Sequence, residues 1–568
     1  MASRAVFAEA DVHDSLPDTV ASEWRDEMRM RRTSCGVLAL VLVSAFTGLH
    51  VVARAQEPPA GAPVALEQLK KDVIAQVDAR RQLTQQMVDS LFSFSEIGFQ
   101  EVETERYITG ILEKNGFTIR RGVADIPTAW VATWGSGRPV VALGTDVDGV
   151  PTTNQTPGVI TRKELVPGAP GHGEGHNAGQ ALIVTAALAV KTIMEREKMS
   201  GTLVLWPGIA EELLATKAFF VRAGVFKDVD AVLYAHVGPA LTTSWGDSGG
   251  SGLVSVEYSF TGESSHAAAA PWLGRSALDA VELMNIGWNY KREHLRLAQR
   301  SHYVITNGGD QPNVVPPAAS VWYYFRENDY ARIKSMWEAG DAIARGAAMM
   351  TGTTVDSRVL GSAWPGHGNR ALAEAMHANI KAVGAPPWSA SDQQFARAVQ
   401  RSLGVPERGL ITEVSPTLQG AELLPEPQKM GGPSDDIGDV MWSVPTVTLG
   451  FPSNIAGTTP HNWTAAIAMA TPIAHKGATQ GAKVHAMTVL DLMTRPDLIN
   501  AARDYFQNVQ GKQARYQPLI RPEDKPAIWL NKDTMEKFRP ELRKYYYDPT
   551  RYPSYLEQLG VPYPPPAN

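Results

Sequence analysis

Five short segments carry side chains that could do chemistry. They are Asp146-Val147-Asp148-Gly149, Gly171-His172-Gly173-Glu174-Gly175-His176-Asn177, the pair Glu211-Glu212, His236, and His461. Their donors are carboxylate oxygens and imidazole nitrogens. Cys35 is the only cysteine, which excludes an intramolecular disulfide and a cysteine-based zinc site. Any metal must therefore be held by His, Asp and Glu, a hard to borderline set suited to a divalent cation. Adjacent Glu211 and Glu212 can divide two tasks. One binds metal, and the other takes the proton of a water that the metal acidifies. Taken singly, each signal is weak. A Glu pair is usually a solvated helix start, a lone His236 fits a core histidine, His461 after Pro460 fits a turn, and Glu174 fits an exposed loop. Their joint placement carries the reading.

That placement follows from the elements around them. Short β-rich runs at Val140 to Leu143, Thr202 to Trp206, Ala231 to Tyr234 and Pro445 to Leu449 each precede one of the segments. Helical stretches are predicted at Gly179 to Met199 and Leu213 to Ala223. Strands alternating with helices predict an α/β domain with a largely parallel sheet. In such a sheet, ligands bind outside the carboxyl ends of the strands, which is where all these residues fall. From about Ser251 the rhythm changes. Val254 to Phe260 alternates like a half-exposed strand, Ser276 to His294 is helical, Ser301 to Thr306 and Ala319 to Arg326 are strands, and Tyr330 to Met350 is helical. This β-α-β-β-α order predicts an inserted α+β lobe resembling a ferredoxin-like sandwich. The expected division is a targeting region over 1–56, a catalytic domain in two parts over 66–250 and 367–513, the lobe over 251–366, and a C-terminal extension over 514–568.

With 568 residues, 44% hydrophobic and 20% charged, the chain is an ordinary multidomain globular protein. Its net charge of −6 gives no bulk reason to bind nucleic acid. Arg29, Arg31 and Arg32 precede an apolar run from Cys35 to about Val52, and Ala53-Arg54-Ala55 follows. That is the layout of a secretory signal, with translation starting at Met28 or Met30. The alternative is an uncleaved anchor, for which the run is short. The expectation is an exported protein, periplasmic or secreted, with no stable membrane anchor after processing.

Several longer segments resemble the M20 metallopeptidases, and within them the aminobenzoyl-glutamate hydrolase group. They are GHGEGHN at Gly171 to Asn177, PGIAEE at Pro207 to Glu212, GVFKDVDAVLYAHVGP at Gly224 to Pro239, and SSHAAAAPWLGRSALDAVELM at Ser264 to Met284. ITNGGDQPNVVP at Ile305 to Pro316, GPSDDIGDV at Gly432 to Val440, TPHNW at Thr459 to Trp463 and IAHKG at Ile473 to Gly477 complete the set. The resemblance implies a zinc-peptidase-like catalytic domain with a ferredoxin-like lid that dimerises. It implies two divalent ions, Zn, Mn or Co, with His176, Glu212, His236 and His461 as ligands and Glu211 as general base. Glu174 stands where this group usually carries Cys. A carboxylate can also bridge two metals, so Glu174 is expected as a ligand that favours harder ions such as Mn²⁺. Asp148 and His172 are expected behind the ligands, orienting them. His266 would steady the oxyanion, reaching into the partner subunit's site. Asn313 and Arg326 would meet a substrate carboxylate, although Arg326 fits a surface role equally well.

The implied reaction is hydrolysis of an amide bond in a small N-acyl amino acid, aminobenzoyl-glutamate-like, by a homodimer. The alternatives are a metallo-carboxypeptidase or dipeptidase, and a catalytically silent binding or partner subunit, which the Glu174 replacement alone supports. Gly246-Asp247-Ser248-Gly249-Gly250 resembles a serine-protease nucleophile motif but reads as a glycine-rich hinge. The glycines around His172 follow no strand directly and fail as a dinucleotide fingerprint.

Overall fold

The structure, a computed structural model, describes residues 65–247, 250–420 and 432–565. The expected signal segment with Cys35, and Ser248 and Gly249 of the glycine-rich motif, lie outside the described residues.

The chain begins with two helices, α1 (Leu66–Asp78) and α2 (Arg81–Phe94), and then builds strands β1 (Thr118–Arg121), β2 (Trp130–Ser136) and β3 (Val140–Asp146). Helix α3 (Asn177–Glu197), strand β4 (Gly201–Gly208), helix α4 (Lys217–Arg222) and strand β5 (Ala231–Gly238) follow. The inserted lobe contributes β6 (Gly252–Thr261), α5 (Ala277–Lys291), β7 (Arg300–Asn307), β8 (Ala318–Glu327), α6 (Tyr330–Thr351) and β9 (Thr354–Ala363). After it come α7 (Ile437–Met441), β10 (Thr446–Pro452) and α8 (Pro472–Thr494).

The main sheet has the order β1-β2-β4-β3-β5-β10. β4, β3, β5 and β10 run parallel, and β1 and β2 join antiparallel. Those two strands are absent from the sequence reading. β1 is mostly exposed and only four residues long, so it lacks an apolar signal. Helix α3 is apolar all round because it is surrounded, packing on α1, α2, α8 and β3. It is the one described helix long and apolar enough to cross a membrane, and it is buried inside the protein.

The lobe is a four-stranded antiparallel sheet of order β9-β6-β8-β7, with α5 and α6 packed together against it. The last strand, β9, completes a β-α-β-β-α-β order that the sequence reading left one strand short. β6 is also more buried than its alternation predicts. Val254, Val256, Tyr258 and Phe260 pack into the lobe core. On the other face Leu253 packs with Leu214 and Ala363, and Ser255 accepts a hydrogen bond from Trp322 Nε1 at 2.7 Å. The lobe thus stands on the α/β layers and this face is covered from Leu253 to Glu257, while Ser259 and Thr261 stay exposed.

Residues after 513 bind both layers. Tyr516 donates to Asp439 at 2.7 Å, and the Asp524 carboxylate accepts from Val359 N–H on β9 at 3.1 Å. Further along, Arg539 pairs with buried Glu96, and Tyr555 N–H donates to Asp89 at 3.0 Å.

Candidate metal centre

The site grows from the ends of the parallel strands. β3 ends at Asp146 and leads to Asp148, which is buried. The Asp148 carboxylate accepts the backbone N–H groups of Glu211 and Glu212, both at 3.1 Å. Buried Glu101 accepts the N–H of Ala210 at 3.0 Å. Two carboxylates therefore hold the turn after β4 by its backbone. This explains why residues 211–213 form a single 3-10 turn, followed by left-handed Leu214, rather than the continuous helix predicted from Leu213. Burial, then the charge of Asp148, pushes the Glu101 carboxyl up to about 8.

Around that turn the predicted ligands converge. His176, just before α3, offers Nδ1 to the Asp148 carbonyl at 3.1 Å. Its Nε2 is buried without a hydrogen-bond partner and lies 3.9 Å from Glu211 Oε2. His236, on β5, offers Nδ1 to the Val237 carbonyl at 3.0 Å, with Nε2 3.8 Å from Glu174 Oε1. The other Glu174 oxygen lies 2.8 Å from His461 Nε2, which is also 3.1 Å from Glu212 Oε2. The His176 and His236 rings sit edge to face, 5.4 Å apart. His461 has a φ of 55°, a left-handed conformation that non-glycine residues seldom adopt.

These residues form adjoining donor groups, Glu174–Glu212–His461 and His176–Glu211–Glu212, with donor atoms within 4.8 Å of one another inside each group. The fit to a cation rests on unpaired atoms. His176 Nε2 and Glu212 Oε1 are buried without partners, a costly arrangement unless something binds them. At His176 and His236 the backbone carbonyl that takes the Nδ1–H leaves Nε2 as the ligand atom.

Electrostatics reflect this close packing of carboxylates and imidazoles. Burial acts to raise Glu174, but its hydrogen bond to His461 and the charges of His176, His236 and His461 outweigh it and hold the carboxyl at about 2. The bond to Glu174 and then that to Glu212 push His461 up to about 10. Glu211 is driven well above the usual carboxylate range by burial, then by the charges of Asp146 and Asp435.

Glu174, Glu211, Glu212, His236 and His461 open onto a cleft of about 630 Å³. Arg326, at the end of β8 in the lobe, forms part of its wall, donating from Nη1 to Ser434 Oγ at 2.8 Å. Burial lowers the Arg326 guanidinium, and its Nε has no partner. His172 faces the core instead, with Nε2 on the Leu91 carbonyl at 3.0 Å and its pKa depressed to about 3 by burial. His266 and Asn313 are not brought to this cleft. Both are exposed in the lobe, where the Ala267 N–H donates to the Asn313 carbonyl at 3.0 Å. Buried Lys217 and Asp436, with half-buried Asp435, none of which sequence reasoning assigned, form a charged cluster beside Glu211. Only the segment containing the aspartates stood out in the sequence.

Comparisons with known proteins agree with this architecture. Residues 249–349 match the family described as a peptidase dimerisation domain. The chain is 33% identical over 469 residues to one of the subunits of p-aminobenzoyl-glutamate hydrolase from Escherichia coli (strain K12), covering 78% of this chain and 96% of that protein. It is 26% identical over 469 residues to Xaa-Arg dipeptidase of Mus musculus, covering 80% and 96%. A solved structure of a candidate aminohydrolase from methicillin resistant Staphylococcus aureus shares the fold at a TM-score of 0.51 and 17% identity, covering 75% of this chain and all of that one. With identity extending over nearly the whole Escherichia coli protein and the dimerisation match falling in the lobe, the chain belongs to the M20 family and is an amide hydrolase of that family.

Proposed function

We propose that this hydrolase cleaves the amide bond of a small N-acyl amino acid bearing a free carboxylate, aminobenzoyl-glutamate-like, with two divalent ions drawn from Zn, Mn and Co. The observation that carries the reading is the Glu174 carboxylate spanning His236 and His461 beside the His176–Glu211–Glu212 group. Glu174, His176, Glu212, His236 and His461 would hold the ions, which when bound supply a Lewis acid for the carbonyl and acidify a water. Glu211 takes the proton of the attacking water and delivers it to the leaving amine nitrogen. Arg326, the one Lys or Arg among the described cleft-lining residues, offers a guanidinium suited to a substrate carboxylate. A dipeptidase would use the same machinery. The test is metal content and turnover of the purified chain with Mn²⁺, Zn²⁺ or Co²⁺ on aminobenzoyl-glutamate, other N-acyl amino acids and dipeptides. Two metals per chain are expected, together with cleavage of the N-acyl glutamate ahead of its carboxamide. A metal-free, inactive chain would favour the reading as a silent partner protein. Export is proposed on Arg29 to Ala55 alone.

The same reading makes the protein a homodimer. β7 is the edge of its sheet, and Val304 and Ile305 on it are exposed, as are Ile286 and Tyr290 on α5. An edge strand with exposed apolar residues seeks a partner. His266 and Asn313, outside their own cleft, would then serve the partner's. Ile305→Lys with Tyr290→Glu is expected to give monomers in analytical ultracentrifugation and to lower kcat by about 10²-fold, the scale of losing one oxyanion donor. A monomeric wild type with full activity would refute this arrangement.

A further inference from the structure

We propose that Lys217 is a positioning residue whose buried ammonium ties the cleft wall at 433–436 to the strand-end carboxylates beside Glu211. The inference rests on the hydrolase reading of the cleft. It starts from a third cluster of donors, Asp146, Glu211 and Asp435, whose oxygens lie within 4.8 Å of one another. Three carboxylates so close would be a candidate cation site, but the chain supplies its own cation. Lys217 Nζ lies 2.8 Å from Asp146 Oδ1 and 3.4 Å from Asp435 Oδ1, and also donates to Asp436 Oδ1. An ammonium has three N–H donors, and three carboxylates take them.

The Lys217 side chain is fully buried, at 0% exposure. A buried ammonium is tolerated only when paired in this way. Each partner is held a second time. Asp146 accepts the Tyr234 hydroxyl. Asp436 Oδ2 accepts the N–H groups of Thr216 at 3.2 Å and Lys217 at 3.0 Å. Asp435 Oδ1 accepts the Ile437 N–H at 2.8 Å.

The segment 434–437 is thus hung from Lys217 on its inner side. On its outer side Ser434 accepts Arg326, and Pro433, Ser434 and Asp435 line the cleft. The ammonium is therefore connected through one loop to the residue proposed to bind the substrate carboxylate. None of its contacts is a proposed metal ligand, so its loss separates wall position from metal binding. Without the ammonium, buried Asp146 and Asp436 and half-buried Asp435 face one another uncompensated, and the loop is the partner free to move away.

The experiment uses the full chain with Lys217→Met, Lys217→Arg and Asp436→Asn. It measures metal content, hydrogen exchange at the amides of 216, 217 and 437, and kcat and KM for an N-acyl glutamate and its carboxamide. Lys217→Met is expected to keep its metal, to exchange those amides at least about 10-fold faster, and to raise KM for the glutamate about 10-fold with a smaller change in kcat. The carboxamide, which cannot use Arg326 fully, should be affected less, and Lys217→Arg should recover part of the protection. If Lys217→Met does not fold, Asp436→Asn carries the test and should show the same pattern more weakly. Exchange and KM within about threefold of wild type would overturn the proposal, as would loss of metal in step with loss of activity. Should the wild type cleave nothing, the hydrolase reading fails, while the exchange rates still decide whether Lys217 holds the loop.

Discussion

Glu211→Gln is expected to lower kcat by about 10³-fold, within the range a positioned general base contributes, while leaving metal content at the wild-type level. Two neighbouring glutamates face the same cluster, and geometry separates them. Glu212 lies 3.1 Å from His461 Nε2, and its buried Oε1 has no partner, as a ligand awaiting a cation would have. Glu211 makes no such contact with His461, and its nearest approach to His176 is 3.9 Å. It stands between the metal ligands and the carboxylates of Asp146 and Asp435, whose charges, after burial, favour its protonated form. Gln preserves the shape and the backbone bond to Asp148 but cannot take the proton. Kinetics with metal analysis on the same sample check the assignment. Parallel loss of metal and activity would make Glu211 a ligand, since it shares a donor group with His176 and Glu212.

Much of this site could be read from the sequence because its residues follow strands whose apolar runs are unmistakable. β3, β4, β5 and β10 are each buried for most of their length, so their sequence signal is strong and their ends fix where chemistry can sit. What was not legible depends on long-range partners. Lys217 reads as an ordinary helix cation until Asp436, more than two hundred positions later, is found against it. The predicted helix from Leu213 fails because Asp148 and Glu101 hold the preceding turn by its N–H groups. β6 reads as half-exposed because alternation cannot show that Leu214 and Tyr324 cover the first part of its second face, around Leu253. The exposed edge strand β1 and the terminal lobe strand β9 went unread for a related reason, since register against a neighbour defines them more than composition does.

Glu174→Ala is expected to lower metal affinity by at least about 100-fold, because even residues behind the ligands cost 10 to 100-fold when removed. The Glu174 carboxylate reaches His236 with one oxygen and His461 with the other, so its loss disconnects two imidazoles at once. His461 is the more vulnerable. It sits on a loop with a left-handed φ of 55°, its side chain is 60% exposed, and Glu212 alone would remain to hold it. Glu174→Cys should bind metal again but change the preference, because a thiolate is a softer donor than a carboxylate. Equilibrium dialysis against equal Mn²⁺ and Zn²⁺, read by elemental analysis, should show the bound ratio moving towards Zn²⁺ in the Cys variant. If Glu174→Ala keeps the wild-type metal content, Glu174 is only an ion-pair partner of His461, and the ions would rest on His176, Glu212, His236 and His461 alone. Four ligands shared between two ions leave each with too few protein donors for a closed site, so that outcome would argue for a single ion per chain.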